Sequence, residues 1–572
     1  MKSLLRYIQD YKKECVMGPL FKLLEACFDL TVPLVMAWLI DYGIARNDVP
    51  YVWKMGGVLL LLAVIGLTCS ITAQYFAAKA AVGFATRLRH AVFAHIESLS
   101  FTEMDEIGTS MMITRMTSDI NQVQSGTNMA LRLFLRSPFI VFGAAIMAFT
   151  IDVKAAMIFV VVIPLLAVVV FGIMLVTMPM YKNVQAHLDK LLGVTRQNLS
   201  GVRVIRAFNK EQSEKESFAQ ENDELTQLQL FVGKISALMN PVTYIMINVA
   251  LVVLIWTGAV RINVGTLTQG DIVALINYMS QILVELVKLA NTIILTTKCV
   301  ACGNRVQNLL EMKSSIVDFT DGEAADIPQS PARVEFEDVS LTYKGAGDAS
   351  LEHISFVAEP GQTIGVIGGT GSGKTSLVHL IPRFYDVTEG SVKVDGVDVR
   401  ELSLMGLRHR VGIVMQKAVL FAGTIRENVQ WGKPGATDEQ IQEALELAQA
   451  AEFVEQKEKG LDYEIEQGGR NLSGGQRQRL TIARALVRKP GILILDDSAS
   501  ALDYATDARL RKALEGLKST STIFIVSQRT SSLQQADKII VLDDGQMVGM
   551  GSHEELLENC EIYQEIYHSQ SS

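Results

Sequence analysis

At 572 residues the chain is too long for a single domain, and 49% apolar residues against 20% charged is unusual for a soluble protein and points to membrane spans. A formal net charge of −9 gives no hint of a nucleic-acid surface. The six cysteines are scattered, and the single C-x-x-C, Cys299 and Cys302, has no second pair and no nearby histidine. It falls short of the roughly four ligands of a zinc site and is expected to be two ordinary thiols one helical turn apart.

The first residues, MKSLLRYIQDYKKE, are amphipathic and charged rather than a cleavable apolar signal. They predict a helix lying on the inner membrane face, with Leu4, Leu5 and Ile8 on one side and Arg6, Lys12 and Lys13 on the other. Apolar runs long enough to span a bilayer follow near 17–40, 55–77, 131–151, 155–178, 237–260 and 272–297. Their connections alternate: 41–54, 152–154 and 261–271 are short, whereas 78–130 and 179–236 are long, polar and helix-rich. The long connections carry Arg87, Arg89, Arg115, Lys190, Arg203 and Arg206, and basic loops stay in the cytoplasm, so both termini and both long loops are expected inside.

Several polar residues interrupt the spans. Asn277, Gln281, Glu285 and Lys288 recur at intervals of four, four and three in the sixth run, and Glu25 and Asp29 share a face of the first. Ionisable groups at that depth face a wet cavity or a bundle interior. They form either a polar wall of a translocation pathway or helix–helix hydrogen bonds in which Glu285 and Lys288 neutralise each other. The prolines at 138, 164, 179 and 241 are expected to be bends or helix ends.

From about residue 311 the character changes. The stretch KSSIVDFTDGEAADIPQSPA has linker composition, and short β-branched strands, glycine turns and helices follow. The predicted division is a six-span all-α domain over 1–310, a linker over 311–331 and an α/β domain over 332–572. Asp395-Gly396 between VKV and VDV predicts a hairpin turn.

The run Gly368, Gly369, Thr370, Gly371, Ser372, Gly373, Lys374, Thr375 lies between an apolar strand and a helix-prone stretch that begins at Ser376, the setting a phosphate-binding P-loop requires. Glycines let backbone N–H groups turn toward phosphates, Lys374 reaches the outer phosphates, and the Thr375 hydroxyl ligates Mg²⁺. Further on, ILILDD at 492–497 is a buried strand ending in Asp496, which can hold the Mg²⁺ shell. Between them LSGGQ at 472–476 places Ser473, Gly474, Gly475 and Gln476 at a helix start suited to a phosphate. The chain's own P-loop already cradles one phosphate group, so this start is expected to serve a different nucleotide.

P-loop, LSGGQ and aspartate-ended strand, in this order, resemble the ABC transporter ATPase family, and the resemblance covers essentially the whole chain. FAGTIREN at 421–428, GSHEELL at 551–557 and the six preceding spans are similar to its exporter branch. The resemblance implies that Tyr343 stacks on adenine and that Gln416 senses the γ-phosphate and Mg²⁺. It implies that SALD at 500–503 crosses a dimer interface, and that 108–123 and 199–211 are coupling segments. It also implies two ATP molecules held head to tail, each between one chain's P-loop and the other's LSGGQ.

Two positions depart from the pattern. Asp497 stands where the family has a glutamate that polarises water, and Gln528 where it has a switch histidine. Asp is one methylene shorter, and a misplacement of ~1 Å can cost ~100-fold in rate. An amide at 528 can neither carry charge nor move a proton. The chain therefore resembles the degenerate subunit of a heterodimeric exporter of amphipathic drugs or lipids, binding ATP and Mg²⁺ beside a different half-transporter with a full catalytic set. A multi-pass protein of a bacterial cytoplasmic membrane is expected by the same resemblance. An ATP-gated regulator or channel on this fold is the second reading. A peptide exporter is the third, weakened because no protease domain precedes the first span.

Overall fold

The computed structural model describes residues 3–318 and 330–570, so most of the expected 311–331 linker lies outside the described residues. Two compact units emerge: Met1–Glu97 with Thr109–Met312, and Ser98–Gly108 with Lys313–Ser572.

The first unit is helical because its apolar runs are long, continuous and low in glycine. Its helices are α1 (Lys12–Trp38) and α2 (Val49–Ser98); α3 (Phe101–Ile107) belongs to the other unit. Then come α4 (Thr109–Thr114), α5 (Ile120–Leu133), α6 (Arg136–Ile151), α7 (Val153–Ser200), α8 (Val202–Ala207), α9 (Glu211–Ala237), α10 (Met239–Asn263) and α11 (Gln269–Glu311). Among the described residues, six helical stretches are long and apolar enough to cross a membrane, and each contains one of the six predicted runs. The chain is an integral multi-pass membrane protein.

Ahead of α1, Ser3–Tyr11 forms a 3-10 helix in which Leu4 is buried and Ile8 half-buried while Leu5 is exposed. With three residues per turn Leu5 and Ile8 lie one above the other and Leu4 stands about a third of a turn away, so the expected three-residue apolar side is divided. Pro138 and Pro241 sit in the first turns of α6 and α10, where no intrahelical N–H bond is lost; Pro164 and Pro179 lie inside α7.

The short connections are pinned by caps. Asp152 accepts from the Ala155 N–H at 2.7 Å to start α7 and pairs with Arg261 at the end of α10. Thr268 and Asp271 form a capping box that starts α11. Asp41 accepts from Thr268 Oγ1 at 2.6 Å and from the Gly270 N–H at 2.9 Å, tying the chain beyond α1 to the start of α11. Inside the bundle small residues such as Ala26, Ala144, Ala148, Ala156 and Ala274 let backbones approach. Gly126 of α5 packs on Cys299, where an added Cβ would come within 2.2 Å of the cysteine Cβ, and the Cys299 thiol donates to the Val123 carbonyl. Outward residues such as Leu60, Leu67, Val168 and Trp256 are exposed, an apolar exterior suited to lipid.

The second unit is α/β. Among the described residues, strands β1 (Val334–Leu341), β2 (Leu351–Ala358), β3 (Thr363–Gly368), β4 (Glu389–Val394), β5 (Val397–Asp398), β6 (Val411–Val414), β7 (Gly423–Thr424), β8 (Glu464–Ile465), β9 (Ile492–Asp496), β10 (Thr522–Val526), β11 (Lys538–Asp543) and β12 (Gln546–Gly551) make three sheets. The central sheet runs β12-β11-β3-β10-β9-β6, parallel except for β12. Its β3 and β9 are buried at every position, as strands covered on both faces must be. An antiparallel sheet runs β2-β1-β4-β5, and the two-residue strands β7 and β8 pair antiparallel. The Asp395-Gly396 hairpin joins β4 to β5 with φ of 50° and 82°, the two positive values a type I′ turn needs.

The short helix Phe101–Ile107 docks inside this unit. Phe101 lies 4.6 Å from the Phe384 ring, Tyr385 donates to Asp105 at 2.6 Å, and Lys344 pairs with Glu106 at 2.8 Å. The part of the first long loop that joins this unit is therefore 98–108, just ahead of the expected coupling segment 108–123; Thr109 and beyond belong to the helical unit.

Candidate functional site

The carboxyl ends of β3, β9 and β10 lie side by side, which brings three distant sequence segments to one place. The loop after β3 runs into α12 (Lys374–Leu380). Gly373, with φ of +92°, caps it, and an added Cβ would come within 2.5 Å of the Ser350 carbonyl. Only glycine fits there. A cavity of about 230 Å³ results, lined among others by Thr370, Gly371, Lys374, Thr375, Ser376, Gln416, Asp496, Asp497 and Gln528.

Lys374 is buried, its Nζ donating to the Gly368 carbonyl at 2.9 Å, to the Gly369 carbonyl, and to Ser372 Oγ at 3.3 Å. Burial pushes its pKa down, with Asp497 and Asp496 opposing. Thr375 Oγ1 donates to Asp496 Oδ1 at 3.1 Å. Burial raises the Asp496 carboxyl above its usual range, Asp497 adds to this, and Thr375 and Lys374 oppose it. The donors are all oxygen, and the buried Asp496 Oδ2 has no hydrogen-bond partner among the described residues. This set fits Mg²⁺, a hard cation bound by one or two protein oxygens together with phosphates. Among the described residues, no group of three or more His, Cys, Asp or Glu side chains could hold a metal on its own.

Asp497 follows β9 with φ of +44°, its N–H donating to the Val526 carbonyl at 3.0 Å. Its side chain is hydrogen-bonded to Gln416, and burial raises its pKa. Gln528 is exposed and lines the same cavity; its backbone carbonyl accepts from Gln570 at 2.6 Å. Tyr343 stands beside this cavity rather than in its wall: its hydroxyl donates to Ser376 Oγ at 2.9 Å and its ring meets Tyr385 edge-on at 5.0 Å.

None of Ser473, Gly474, Gly475 and Gln476 lines that cavity. Ser473 caps the helix Gly474–Leu486 by accepting from the Gln476 N–H at 3.2 Å, and Gln476 Oε1 accepts from the Ser473 N–H at 3.0 Å. Each side chain is thus engaged by the other residue's backbone N–H. The first-turn N–H groups of Gly474 and Gly475 have no intrahelical carbonyl to bond and lie at the exposed end.

His379 was not singled out in the sequence. It lies on α12 behind Asp496, with Nε2 3.8 Å from Asp496 Oδ2, and burial pushes its pKa down, with Asp105 opposing. Its one sequence signal is a histidine one turn beyond the P-loop threonine, on the face that packs toward β9.

In the helical unit a second cavity, of about 550 Å³, lies between α1, α6 and α11. Asp29, Asn277, Gln281, Glu285 and Lys288 line it together with Val32, Met36, Ile140 and Val284. Glu25 is buried outside that wall, bonded to Lys22 at 2.5 Å. The hub of the cluster is Arg136, which donates to Glu285 at 2.6 Å and Asp29 at 2.8 Å and lies 3.9 Å from Glu25. Glu285 also accepts from Ser137 at 2.8 Å and from Lys288 at 2.9 Å. The expected Glu285–Lys288 pair is present, but mutual neutralisation by those two is the lesser part, because α6 supplies a more buried cation. Arg136 and Lys22 were legible as arginine and lysine inside predicted spans.

The families described as ABC transporter transmembrane region and ABC transporter match residues 15–286 and 351–500. An uncharacterized ABC transporter ATP-binding protein of Mycobacterium tuberculosis is 37% identical, covering 100% of this chain and 98% of its own. An ATP-dependent lipid A-core flippase of Desulfotalea psychrophila is 32% identical over 84% of this chain and 83% of its own. The fold is similar to that of a bacterial Atm1-family ABC exporter solved with ATP bound, with a TM-score of 0.80, 22% identity and 98% of each chain covered. The chain belongs to the ABC transporters, as a half-transporter that carries a six-helix transmembrane region and an ATPase domain on one polypeptide.

Proposed function

We propose that this chain is one subunit of a heterodimeric ABC exporter, holding ATP at a site of low hydrolytic capacity and lending its signature helix to the partner's site. The observation that carries this reading is the composition of the P-loop cavity. Lys374, Thr375 and Asp496 meet there with Asp497 and Gln528 at the two positions that would serve hydrolysis, while Ser473–Gln476 lie outside it.

On this reading the loop N–H groups, Lys374 and the helix start hold the phosphates, and Thr375, Asp496 and Gln416 hold Mg²⁺, which when bound neutralises charge between the outer phosphates. Tyr343 moves off Ser376 to meet the base. Asp497 is short of the attacking water by a methylene and is engaged by Gln416. Gln528 can hydrogen-bond the γ-phosphate but not charge it. The Gly474 and Gly475 N–H groups are then presented to the nucleotide on the partner, whose chain brings the glutamate and histidine.

The cargo is an amphipathic small molecule, a lipid or a drug. The cavity around Arg136 supports this, since charged and apolar side chains share its wall, and so does the lipid A-core flippase relative. Both termini and the basic long loops face the cytoplasm of a bacterial cell. Purified alone, the chain binds ATP but turns it over slowly; a homodimer working at an ordinary ~1–100 s⁻¹ refutes the heterodimer. Cargo accumulation in inside-out vesicles containing both subunits distinguishes an exporter from an ATP-gated regulator, which accumulates nothing.

A further inference from the structure

Asp496 stands between two cavities. One holds the P-loop; the other, about 390 Å³, is lined by His379, Thr375, Gln416, Thr481 and Arg484 among others. Asp496 Oδ1 faces Thr375, whereas Oδ2 points toward His379 Nε2, 3.8 Å away. Among the described residues, neither of these two buried atoms has a hydrogen-bond partner. A buried polar atom without a partner is rare and costly, and two facing each other suggest a bond made in another state. The distance is too long for a direct bond and short enough to be closed by a small movement of either side chain.

The imidazole is also clasped from behind. Its ring stacks on Tyr385 with centroids 6.4 Å apart and planes at 15°, and meets Phe384 edge-on at 5.4 Å. Those two aromatics are the ones that receive Phe101 and Asp105 of the 98–108 segment. A shift of that segment moves Tyr385 and Phe384, and with them the ring that faces Asp496.

We propose that His379 is a positioning residue: its Nε2–H steadies Asp496 Oδ2 so that Oδ1 and Thr375 are aligned for Mg²⁺·ATP, and the 98–108 segment adjusts this alignment through Phe384 and Tyr385. The inference rests on the nucleotide reading above, and its test separates the two. The full chain, purified without a partner, is titrated with ATP in EDTA and then with Mn²⁺ and ATP, following the Mn²⁺ electron paramagnetic resonance signal. His379→Phe keeps the ring packing but removes the donor. It is expected to weaken Mn²⁺ binding in the presence of ATP by roughly tenfold, the scale of one hydrogen bond to a charged group, while metal-free ATP binding stays within about twofold. His379→Gln, whose amide reaches a similar point, restores most of the loss.

Asp105→Leu, which frees the Tyr385 hydroxyl, is expected to weaken Mn²⁺ binding by about threefold in the native background and not at all beside His379→Phe. Equal behaviour of the Phe and Gln variants, or a matching loss of metal-free ATP affinity, means that His379 merely packs and overturns the proposal. An Asp105→Leu effect of the same size in both backgrounds overturns the link to the 98–108 segment. If the native chain binds no ATP even without metal, the nucleotide reading itself falls.

Discussion

Replacing Arg136 by methionine removes the cation that joins α1, α6 and α11 while keeping much of the side-chain length. The structure decides what each abandoned carboxylate then faces. Asp29, whose side chain is 40% exposed, is rehydrated at little cost. Glu25 keeps its 2.5 Å bond to Lys22. Glu285, only 5% exposed, keeps Ser137 and Lys288 but loses its shortest partner. Breaking a buried pair costs ~3–5 kcal/mol, and because two partners remain the lower end, about 3 kcal/mol, applies here. That corresponds to a midpoint lowered by about 6–12 °C for a domain of this scale. Thermal unfolding in lipid nanodiscs, followed by tryptophan fluorescence, measures it. Adding Glu285→Gln recovers more than half of the loss, since it removes the stranded charge and the two changes share one network. An unchanged midpoint for Arg136→Met, accompanied by altered drug or lipid stimulation of ATPase, refutes the clasp and makes the cluster a cavity wall only.

On the proposed heterodimer, once purified, Ser473→Arg breaks the capping box and crowds the Gly474 and Gly475 N–H groups, and ATPase and transport are expected to fall by ~100- to 1,000-fold. Lys374→Ala is milder, weakening nucleotide retention, and the reverse order of severity would make this chain's own site the engine. Asp497→Glu alone restores little turnover; with Gln528→His the gain exceeds the sum of the single changes, because the two act as one unit, and full recovery from Asp497→Glu alone refutes that. Gly373→Ala forces a side chain onto the Ser350 carbonyl at positive φ, so fluorescent ATP-analogue binding is lost while the helical unit's circular dichroism stays. Unaltered binding would show that the loop can relax around the clash.

What the sequence made legible follows the range of the physics involved. The six spans rest on continuous apolar runs, and the β4–β5 turn on two adjacent residues, so neither needs tertiary information. The P-loop glycines, Lys374 and Thr375 are contiguous, and the Ser473–Gln476 capping box is an S-x-x-Q pattern that could have been read locally. Arg136 was visible as an arginine in a span, but its role was not, because its partners Asp29 and Glu285 lie 107 and 149 residues away on other helices. Tyr343 resting on Ser376 and Lys374 turned onto the loop carbonyls were likewise beyond reach, since they reflect packing around the site rather than its motif. The attachment of 98–108 to the α/β unit was not legible because it depends on Phe384 and Tyr385, nearly three hundred residues downstream.

That separation has a consequence for biogenesis. Phe101 leaves the ribosome long before the aromatic pair it packs against, and at ~5–20 residues per second the interval is about 15–60 s. For that time the hairpin tip between the second and third spans carries an apolar ring with no docking surface made. The unit bearing the P-loop closes around this early segment only after synthesis of the later half. Residues 332–572 expressed alone therefore lack one of their own packing pieces and expose the Phe384 and Tyr385 rings to solvent.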